Sequence, residues 1–506
     1  MLQRFADEGF LVESGVDRLL AECGLQADAI IEFAKQRDEF IISHSLIEDY
    51  LRQKHEQEKA SLQEPIEPET QACIEKVVEV KVERPVFRAL ASEYPSRIEH
   101  IARYDVSGKS TCEGTVDDFV SLFKDRHKRI SALLHAQPSQ YPVTTLNGAK
   151  KGEKCRFIGM VRSKTVTKNG HLIIEIEDEQ GVMKGFINSS KKELMALSGQ
   201  VLLDEVLAFD GNYKDPFFFI DAITWPDIPV SKPKRLIEED LSIAFLSDLH
   251  VGSKLFLEDQ FKHMLNWLKG NCGDAREREI ASSVKYLFIA GDMVDGIGIY
   301  PNQEKELAIQ DIYEQYNTLF NYLEQVPEYI DIIMIPGNHD AVRRGDPQPR
   351  IPDEFIRNKR SNYHFGSSPS WFKVEGLNCL LYHGNSLDSM IANIAGLSYN
   401  EPEKAQVEYL KRRHLSPIYG SNHIIPEKED YMVIEDVPDI VHMGHVHKNG
   451  YVEYRNVLCI NAGTWQSRTE YQRMQGHIPT PAILPIYNMK RGSIRQVDFN
   501  GGTVEC

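Results

Sequence analysis

The chain has 506 residues, of which 42% are hydrophobic and 26% charged, a composition typical of a soluble globular protein with two to four domains. Its 58 basic and 75 acidic residues give a formal net charge of −17, which disfavours a protein that holds nucleic acid through overall charge but not one that binds phosphate locally. It contains no apolar run of about 18 residues and no secretory signal, and its eight cysteines are scattered singly, so we expect reduced thiols, a cytoplasmic location and no membrane contact.

The first part of the chain is predicted to be helical and then polar. Residues 1–52 contain two capping patterns and apolar side chains at helical spacing, which predicts a small helical module for packing or docking. Residues 53–139 begin as an acidic linker with local strands at most and end in a helix over Thr115 to His135. The apolar faces of the N-terminal module are expected to come from Leu19, Leu20, Ile30, Ile31, Phe33, Phe40, Ile41 and Ile42.

Residues 140–228 change to the two-residue period of β-strands. Asn169-Gly170 between two apolar runs predicts a hairpin, and a helix-like stretch over Lys191–Ser198 falls between the third and fourth of five strand-like runs. This order resembles the OB-fold, a small Greek-key barrel that binds single-stranded nucleic acid or docks against protein. The sequence leaves both uses open.

Residues 236–506 alternate strand-like runs with helix-like segments, including Leu257–Leu268 and Gln303–Gln325, which predicts an α/β domain. Five of the strands end in side chains that bind metals or protons, and such strand ends meet at one edge of an α/β sheet. Oxygen and imidazole ligands suit Mn²⁺, Fe or Zn²⁺, whereas the lack of thiolates argues against a structural zinc site. In chain order these side chains are Asp248, His250, Asp292, Asn338, His339, Asp340, His383, His445 and His447.

These five junctions resemble the calcineurin-like metallophosphoesterase superfamily, whose motifs Asp-x-His, Gly-Asp, Gly-Asn-His-Asp, His and Gly-His-x-His occur in order over residues 243–447. The resemblance implies two divalent metal ions, Mn²⁺ foremost, with Mg²⁺, Fe and Zn²⁺ as alternatives. The first ion would be held by Asp248, His250 and His447. The second would be held by Asn338, His383 and His445, with Asp292 bridging the pair.

The same resemblance implies roles for the two residues after Asn338. His339 would lie beside the metals as the proton donor, because imidazole can protonate a leaving alkoxide near neutral pH. Asp340 would orient the His339 ring.

Longer stretches are similar to the small subunits of archaeal family D DNA polymerases. The similar stretches are Ala290–Pro301, Pro336–Arg344 and Tyr382–Asp388. The order of parts agrees as well: the expected fold is multidomain, with a helical N-terminal domain and an all-β OB-fold barrel preceding an α/β metallophosphoesterase sandwich. The resemblance implies a 3′–5′ exonuclease that trims single-stranded or mispaired DNA ends and proofreads for a separate, larger catalytic subunit, at the nucleoid.

Local basic charge is compatible with a DNA guide beside this site. Residues 341–360 carry six basic side chains, and Arg343, Arg344 and Arg350 are candidates for phosphate contact. A solvated loop, or a surface for the partner subunit, explains the same residues equally well.

Three other functions remain open. A double-strand-break repair nuclease of the same superfamily usually begins with the phosphoesterase domain, whereas residues 1–235 precede it here. A protein phosphatase is disfavoured by the replication-like order of parts. A non-catalytic scaffold for the large subunit would need no metal at all.

Overall fold

The computed structural model describes residues 87–501 and, before them, residues 5, 10–12, 16, 27–37, 41–43, 46, 47 and 50. The chain divides into two compact units, Met1–Arg84 and Pro85–Cys506. Within the described residues, no helix is both long and apolar enough to cross a membrane.

The first unit contains a helix and a small parallel sheet among its described residues. The helix spans Ala27–Gln36, and strand β1 (Leu11–Val12) pairs in parallel with β2 (Ile41–Ile42). The expectation that Ile41 and Ile42 lie on a helix face is therefore wrong: Ile42 is buried and Ile41 is exposed, as in a strand with one buried face. Leu19, Leu20, Phe40 and residues 53–86 of the expected linker lie outside the described residues, and the helical module stays a prediction.

In the second unit, a closed five-stranded barrel follows a long helix. This helix spans Val116–His135 and begins with a capping box between Thr115 and Asp118. The barrel strands are β4 (Lys154–Val166), β5 (Leu172–Asp178), β6 (Gly181–Ile187), β7 (Val206–Lys214) and β8 (Phe217–Thr224), and they neighbour one another in the order β4-β5-β6-β8-β7. A short helix, Lys192–Ser198, lies between β6 and β7. The closed barrel agrees with the expected strand pattern, and its assignment as an OB-fold stays a prediction.

The remainder of this unit is a sandwich of two six-stranded sheets. The first sheet is mainly parallel, and its order is β12 (Tyr363–Phe365), β11 (Asp331–Ile335), β10 (Val284–Ala290), β9 (Ser242–Leu246), β18 (Ile483–Asn488) and β19 (Ser493–Asp498). The second sheet is mixed, in the order β16 (Gly450–Tyr454), β17 (Val457–Asn461), β15 (Ile440–Met443), β14 (Leu377–Leu381), β13 (Ser370–Val374) and β3 (Ile98–His100). Strand β3 belongs to the segment that was expected to be a linker.

Apolar side chains fill the space between the sheets, and helices cover their outer faces. Phe245 and Phe288 of the first sheet share one buried cluster with Phe372 and Leu381 of the second. Outside the first sheet lie the helices Glu258–Leu268, Ala275–Ser283 and Ile312–Leu323, with 3₁₀ turns at Leu90–Glu93, Gln303–Lys305 and Asp353–Phe355. Around the second sheet lie the helices Leu387–Asn393 and Pro402–Arg412 and the 3₁₀ turn Ala102–Tyr104. Residues 470–474 form a further short helix after β17.

The long helix joins the barrel to the sandwich. Ile130 and Leu134 of this helix pack against Met160 and Val206 of the barrel and against Val433 of the sandwich. The helix also makes a polar contact with the sandwich. The buried Arg126 guanidinium donates a 2.7 Å hydrogen bond from Nε to the Asp430 carboxylate. Barrel and sandwich therefore share one continuous interior.

Candidate metal centre

The residues that follow five strands of the sandwich lie close together at one edge of the two sheets. Strands β9, β10 and β11 of the first sheet and β14 and β15 of the second all point their carboxyl ends to it. The side chains expected to bind metal gather there, so the structure brings together residues that are up to 199 positions apart, from Asp248 to His447.

One group of ligand atoms lies after β9 and β15. The Nε2 atoms of His250 and His447 are 3.1 Å apart, and Asp248 Oδ1 lies 3.4 Å from His447 Nε2. These three side chains are buried. They form the set expected to hold the first metal ion.

A second group lies after β11, β14 and β15. Asn338 Oδ1 is 3.1 Å from both His383 Nε2 and His445 Nδ1. Asp292 stands between the two groups, because its Oδ2 atom lies 3.3 Å from His383 Nε2 and 4.0 Å from His250 Nε2. This position is the one expected of a bridging carboxylate.

Each of the four ligand histidines has its other ring nitrogen held in place. His250 Nδ1 donates to Asp295 at 3.0 Å, and His383 Nδ1 donates to the Ala290 carbonyl oxygen at 2.7 Å. His445 Nε2 lies 3.1 Å from Asp388 Oδ2, and the Gln472 amide lies 2.8 Å from His447 Nδ1. The carboxylate and carbonyl oxygens at His250, His383 and His445 orient a metal-ligating imidazole and raise its basicity, whereas the Gln472 amide nitrogen can only donate to His447 and orient its ring. Sequence reasoning missed Asp295, Asp388 and Gln472, although Asp295 and Asp388 fell within stretches that carried the family resemblance.

His339 lies beside the cluster, but the role expected for Asp340 is wrong. The His339 ring is fixed by a 2.7 Å hydrogen bond from Nδ1 to the Asp295 carbonyl oxygen, and its Nε2 lies 4.0 Å from Asp292 Oδ2. Asp340 instead accepts hydrogen bonds from the Gly337 amide at 2.9 Å and the Tyr316 hydroxyl at 3.0 Å. The tight turn of residues 337–340 directs the Asp340 carboxylate toward backbone N–H groups and away from the His339 ring. The carboxylate therefore stabilises this turn and does not orient His339.

The backbone at the ligands is strained. Thirteen non-glycine residues in the described part of the chain have positive φ, and five of them are ligand candidates: Asp248, His250, Asp292, His445 and His447. Left-handed backbone is unfavourable for L-residues and concentrates at functional sites. A side chain is also excluded at Gly337, because a Cβ atom there would collide with Asp292 and would lie 2.8 Å from His383 Cε1.

The donor set fits divalent metal ions. Asp248 Oδ1 is buried and has no hydrogen-bond partner among the described residues, which is costly unless a cation meets it. Two carboxylates, one amide oxygen and four imidazoles match the ligands of Mn²⁺, Fe or Zn²⁺. Asn338 and His445 are only half-buried, as is His339, so the cluster opens to solvent on their side.

Charge within the cluster is strongly coupled. Burial alone would raise the pKa of Asp292, but His383 and His339 outweigh it and hold that pKa well below its usual value. Burial works in the opposite direction on His383, yet Asp292 raises the His383 pKa to about 10. When no metal is bound, Asp292 is therefore ionised and His383 carries a proton, and metal binding must release that proton.

The three arginines expected to contact DNA differ in how many hydrogen bonds their guanidinium groups already make within the protein. Arg343 donates to the Pro347 carbonyl oxygen, to Ser110 and to Glu427, so most of its N–H groups are already bonded within the protein, and its contact with DNA stays a prediction. Arg350 is paired through two hydrogen bonds with Asp353, which neutralises it. Arg344 is exposed and donates only to the Gly298 carbonyl oxygen, leaving it available for phosphate.

Comparison with known proteins agrees with the geometry. The profile of the calcineurin-like phosphoesterase family matches residues 241–449, which contain every ligand candidate. A protein named DNA polymerase II small subunit from Methanocaldococcus jannaschii is 41% identical over 79% of this chain and 68% of its own length. Proteins of the same name from Archaeoglobus fulgidus and Methanothermobacter thermautotrophicus are 36% and 34% identical over 99% of this chain, and the matches cover 97% and 99% of their lengths.

Proposed function

Because the chain belongs to the family of DNA polymerase II small subunits, with a calcineurin-like phosphoesterase domain, we propose that it is a metal-dependent 3′–5′ exonuclease. It would act on single-stranded or mispaired DNA ends. Its partner would be a larger subunit that carries the polymerase chemistry of a two-subunit archaeal replicative enzyme. The observation that carries this proposal is the convergence of seven ligand side chains, with Asp292 between two groups.

The ligand groups would hold two divalent cations. Asp248, His250 and His447 would hold one and Asn338, His383 and His445 the other, with Asp292 shared. When bound, such a pair supplies an activated water and offsets charge on the phosphodiester. Mn²⁺ is the ion we propose, and Asn338 contributes a neutral oxygen that leaves the centre more cationic than a third carboxylate would.

His339 would handle the proton. Because its Nδ1 hydrogen is donated to the Asp295 carbonyl oxygen, its Nε2 faces the ligand cluster. We propose that Nε2 passes a proton to the 3′ oxygen of the shortened strand as the terminal nucleotide leaves. Asp295 holds both His339 and His250, so one residue aligns the proton donor with a metal ligand.

Arg344 would guide the DNA backbone. Of the three candidate arginines it is the one that no carboxylate of the described residues neutralises, so its charge is available for phosphate oxygens. The barrel would be an OB-fold that contacts DNA or the large subunit.

Purified full-length chain with Mn²⁺ and a 5′-labelled single-stranded oligonucleotide tests the proposal. We expect stepwise shortening from the 3′ end, lost in His339→Ala and in His445→Ala, while melting temperature and large-subunit binding stay close to wild type. His364→Ala is the matched control, because His364 pairs with Asp331 away from the cluster. If wild type and His339→Ala are equally inactive even with the large subunit bound, the chain is a scaffold.

A further inference from the structure

Three aromatic side chains stand at the open side of the centre. We call Tyr399, Tyr471 and His477 the aromatic rim. The Tyr399 and His477 rings are half-buried and contact each other, with centroids 4.2 Å apart and planes tilted by 32°. Tyr471 is 64% exposed and lies near enough to interact electrostatically with Tyr399. Large aromatic rings left open to solvent beside a reaction centre need an explanation.

Two rim residues lie next to side chains that contact metal-ligand candidates. The Tyr399 hydroxyl lies against the Asp388 carboxylate, which in turn holds His445. Tyr471 precedes Gln472, whose amide contacts His447 at 2.8 Å. Tyr399 therefore contacts the residue that orients His445, and Tyr471 is adjacent in sequence to the residue that contacts His447, which places the rim near the ligand cluster.

The rim lies beside unpaired positive charge. Arg468, three residues before Tyr471, forms no hydrogen bond or ion pair within the part of the chain that the structure describes, and its Nε is buried without a partner. Arginine matches phosphate oxygens in geometry and charge.

From this arrangement we propose that the aromatic rim stacks the unpaired terminal base of a DNA strand, with Arg468 contacting a phosphate. A base is joined to its own 5′ phosphate through a single sugar, so a phosphodiester at the ligand cluster brings its terminal base to the rim. Aromatic side chains hold unpaired bases of any sequence by stacking. A paired end would have to unpair first, so the rim would select frayed ends. This inference rests on the proposed nuclease function and adds that the substrate must have an unpaired terminal base.

The decisive experiment varies the base and the rim together. Full-length protein with Mn²⁺ is given two oligonucleotides that differ only in whether the 3′-terminal nucleotide carries a base or is abasic. For Tyr471→Ala we expect cleavage of the normal end to fall about 5- to 100-fold, as loss of one stacked base predicts. Cleavage of the abasic end should not change. Tyr471→Phe keeps the ring and should keep the preference, and Tyr451→Ala removes another exposed tyrosine as a control.

A binding measurement separates this inference from the nuclease proposal. Metal-free protein in EDTA is mixed with an oligonucleotide that ends in fluorescent 2-aminopurine. Wild type and Tyr471→Phe should change its emission, and Tyr471→Ala should not. If no protein cleaves DNA but this pattern holds, the nuclease proposal fails and the rim remains a base-binding site.

Three results would overturn the inference. Tyr471→Ala could behave as wild type in both assays, which would mean that the ring contacts no base. It could slow both oligonucleotides equally, which would indicate a structural role through Gln472. It could leave both DNA assays intact and weaken binding of the large subunit, which would make the rim, with the exposed Met474 and Ile478, a protein-docking surface.

Discussion

The Asp388 carboxylate controls how well His445 can bind a metal ion. Its Oδ2 lies 3.1 Å from His445 Nε2, and carboxylate partners of this kind orient the ring and strengthen it as a ligand. We expect Asp388→Asn to weaken Mn²⁺ binding about 10- to 100-fold, while cleavage recovers at saturating Mn²⁺. Calorimetric Mn²⁺ titration measures this. Glu470→Gln removes an exposed carboxylate paired only with Arg473 and is the control; equal affinities in all three proteins would contradict the role of Asp388.

At the scale of single residues, the sequence predicts the metal-ligand candidates better than the residues that hydrogen-bond to them. Asp248, His250 and Asp292 follow apolar strands directly, so the strand pattern alone places them at one sheet edge. Asp295 and Gln472 carry no such signal, because their partners come from distant parts of the chain. Asp340 was assigned wrongly because adjacency in sequence does not decide which way a side chain points in a tight turn.

A buried ion pair contributes to the contact between the long helix and the sandwich. Arg126 and Asp430 are both buried, and Arg126 also donates to the Pro417 carbonyl oxygen at 2.9 Å. Removing one partner leaves the other charge buried and unpaired, so we expect Arg126→Ala to lower the free energy of unfolding by about 3–5 kcal/mol. Urea unfolding measures this. Lys128→Ala, an exposed change on the same helix, should have little effect, and equal stabilities would contradict the prediction.

His414 makes the same contact sensitive to pH. Its Nε2 donates to Asp430 at 2.9 Å and its Nδ1 accepts from the Ser416 amide at 3.0 Å, which is the pattern of a neutral ring. Burial, followed by the charge of Arg126, lowers the His414 pKa to about 4.

The sign of the pH effect follows from this lowered pKa. Between pH 6.5 and 4 the unfolded chain binds a proton at His414 that the folded chain does not, so stability falls as pH falls through this window. The His414 contribution to the loss approaches about 3 kcal/mol at the acid end. In His414→Gln we expect a shallower fall, measured by urea unfolding at pH 7.5, 5.5 and 4.5. An unchanged slope would show that His414 is protonated in the folded protein.

Helix boundaries show where sequence periodicity misleads. The apolar spacing predicted one helix over Gln303–Gln325, but the structure has a 3₁₀ turn at Gln303–Lys305 and an α-helix only from Ile312. Asp311 begins the helix by accepting a hydrogen bond from the Glu314 amide, and Ala308, expected on the buried face, is exposed. The N-cap at Asp311 was readable from the sequence. Strand β3 was not, because it is held by pairing with β13, which a local pattern cannot reveal.

Metal binding should stabilise the second unit as a whole. The barrel and the sandwich share one compact unit, and a ligand that binds only the folded state at 100 times its Kd stabilises it by about 2.7 kcal/mol. Melting with and without Mn²⁺ should therefore show an upward shift in wild type and in His339→Ala. The shift should be lost in Asp292→Asn, which removes the shared carboxylate charge. A shift retained in Asp292→Asn would place the ion elsewhere.

The left-handed backbone at Asp248, His250, Asp292, His445 and His447 bears on how such chains evolve. Each of these conformations costs about 1 kcal/mol that glycine would not incur. A lineage that kept this subunit only for assembly would gain stability from glycine at these positions, so the metal ligands would be replaced before the surrounding core changed. Catalysis could then be lost in such a lineage through relaxed selection alone, without selection against the enzyme activity.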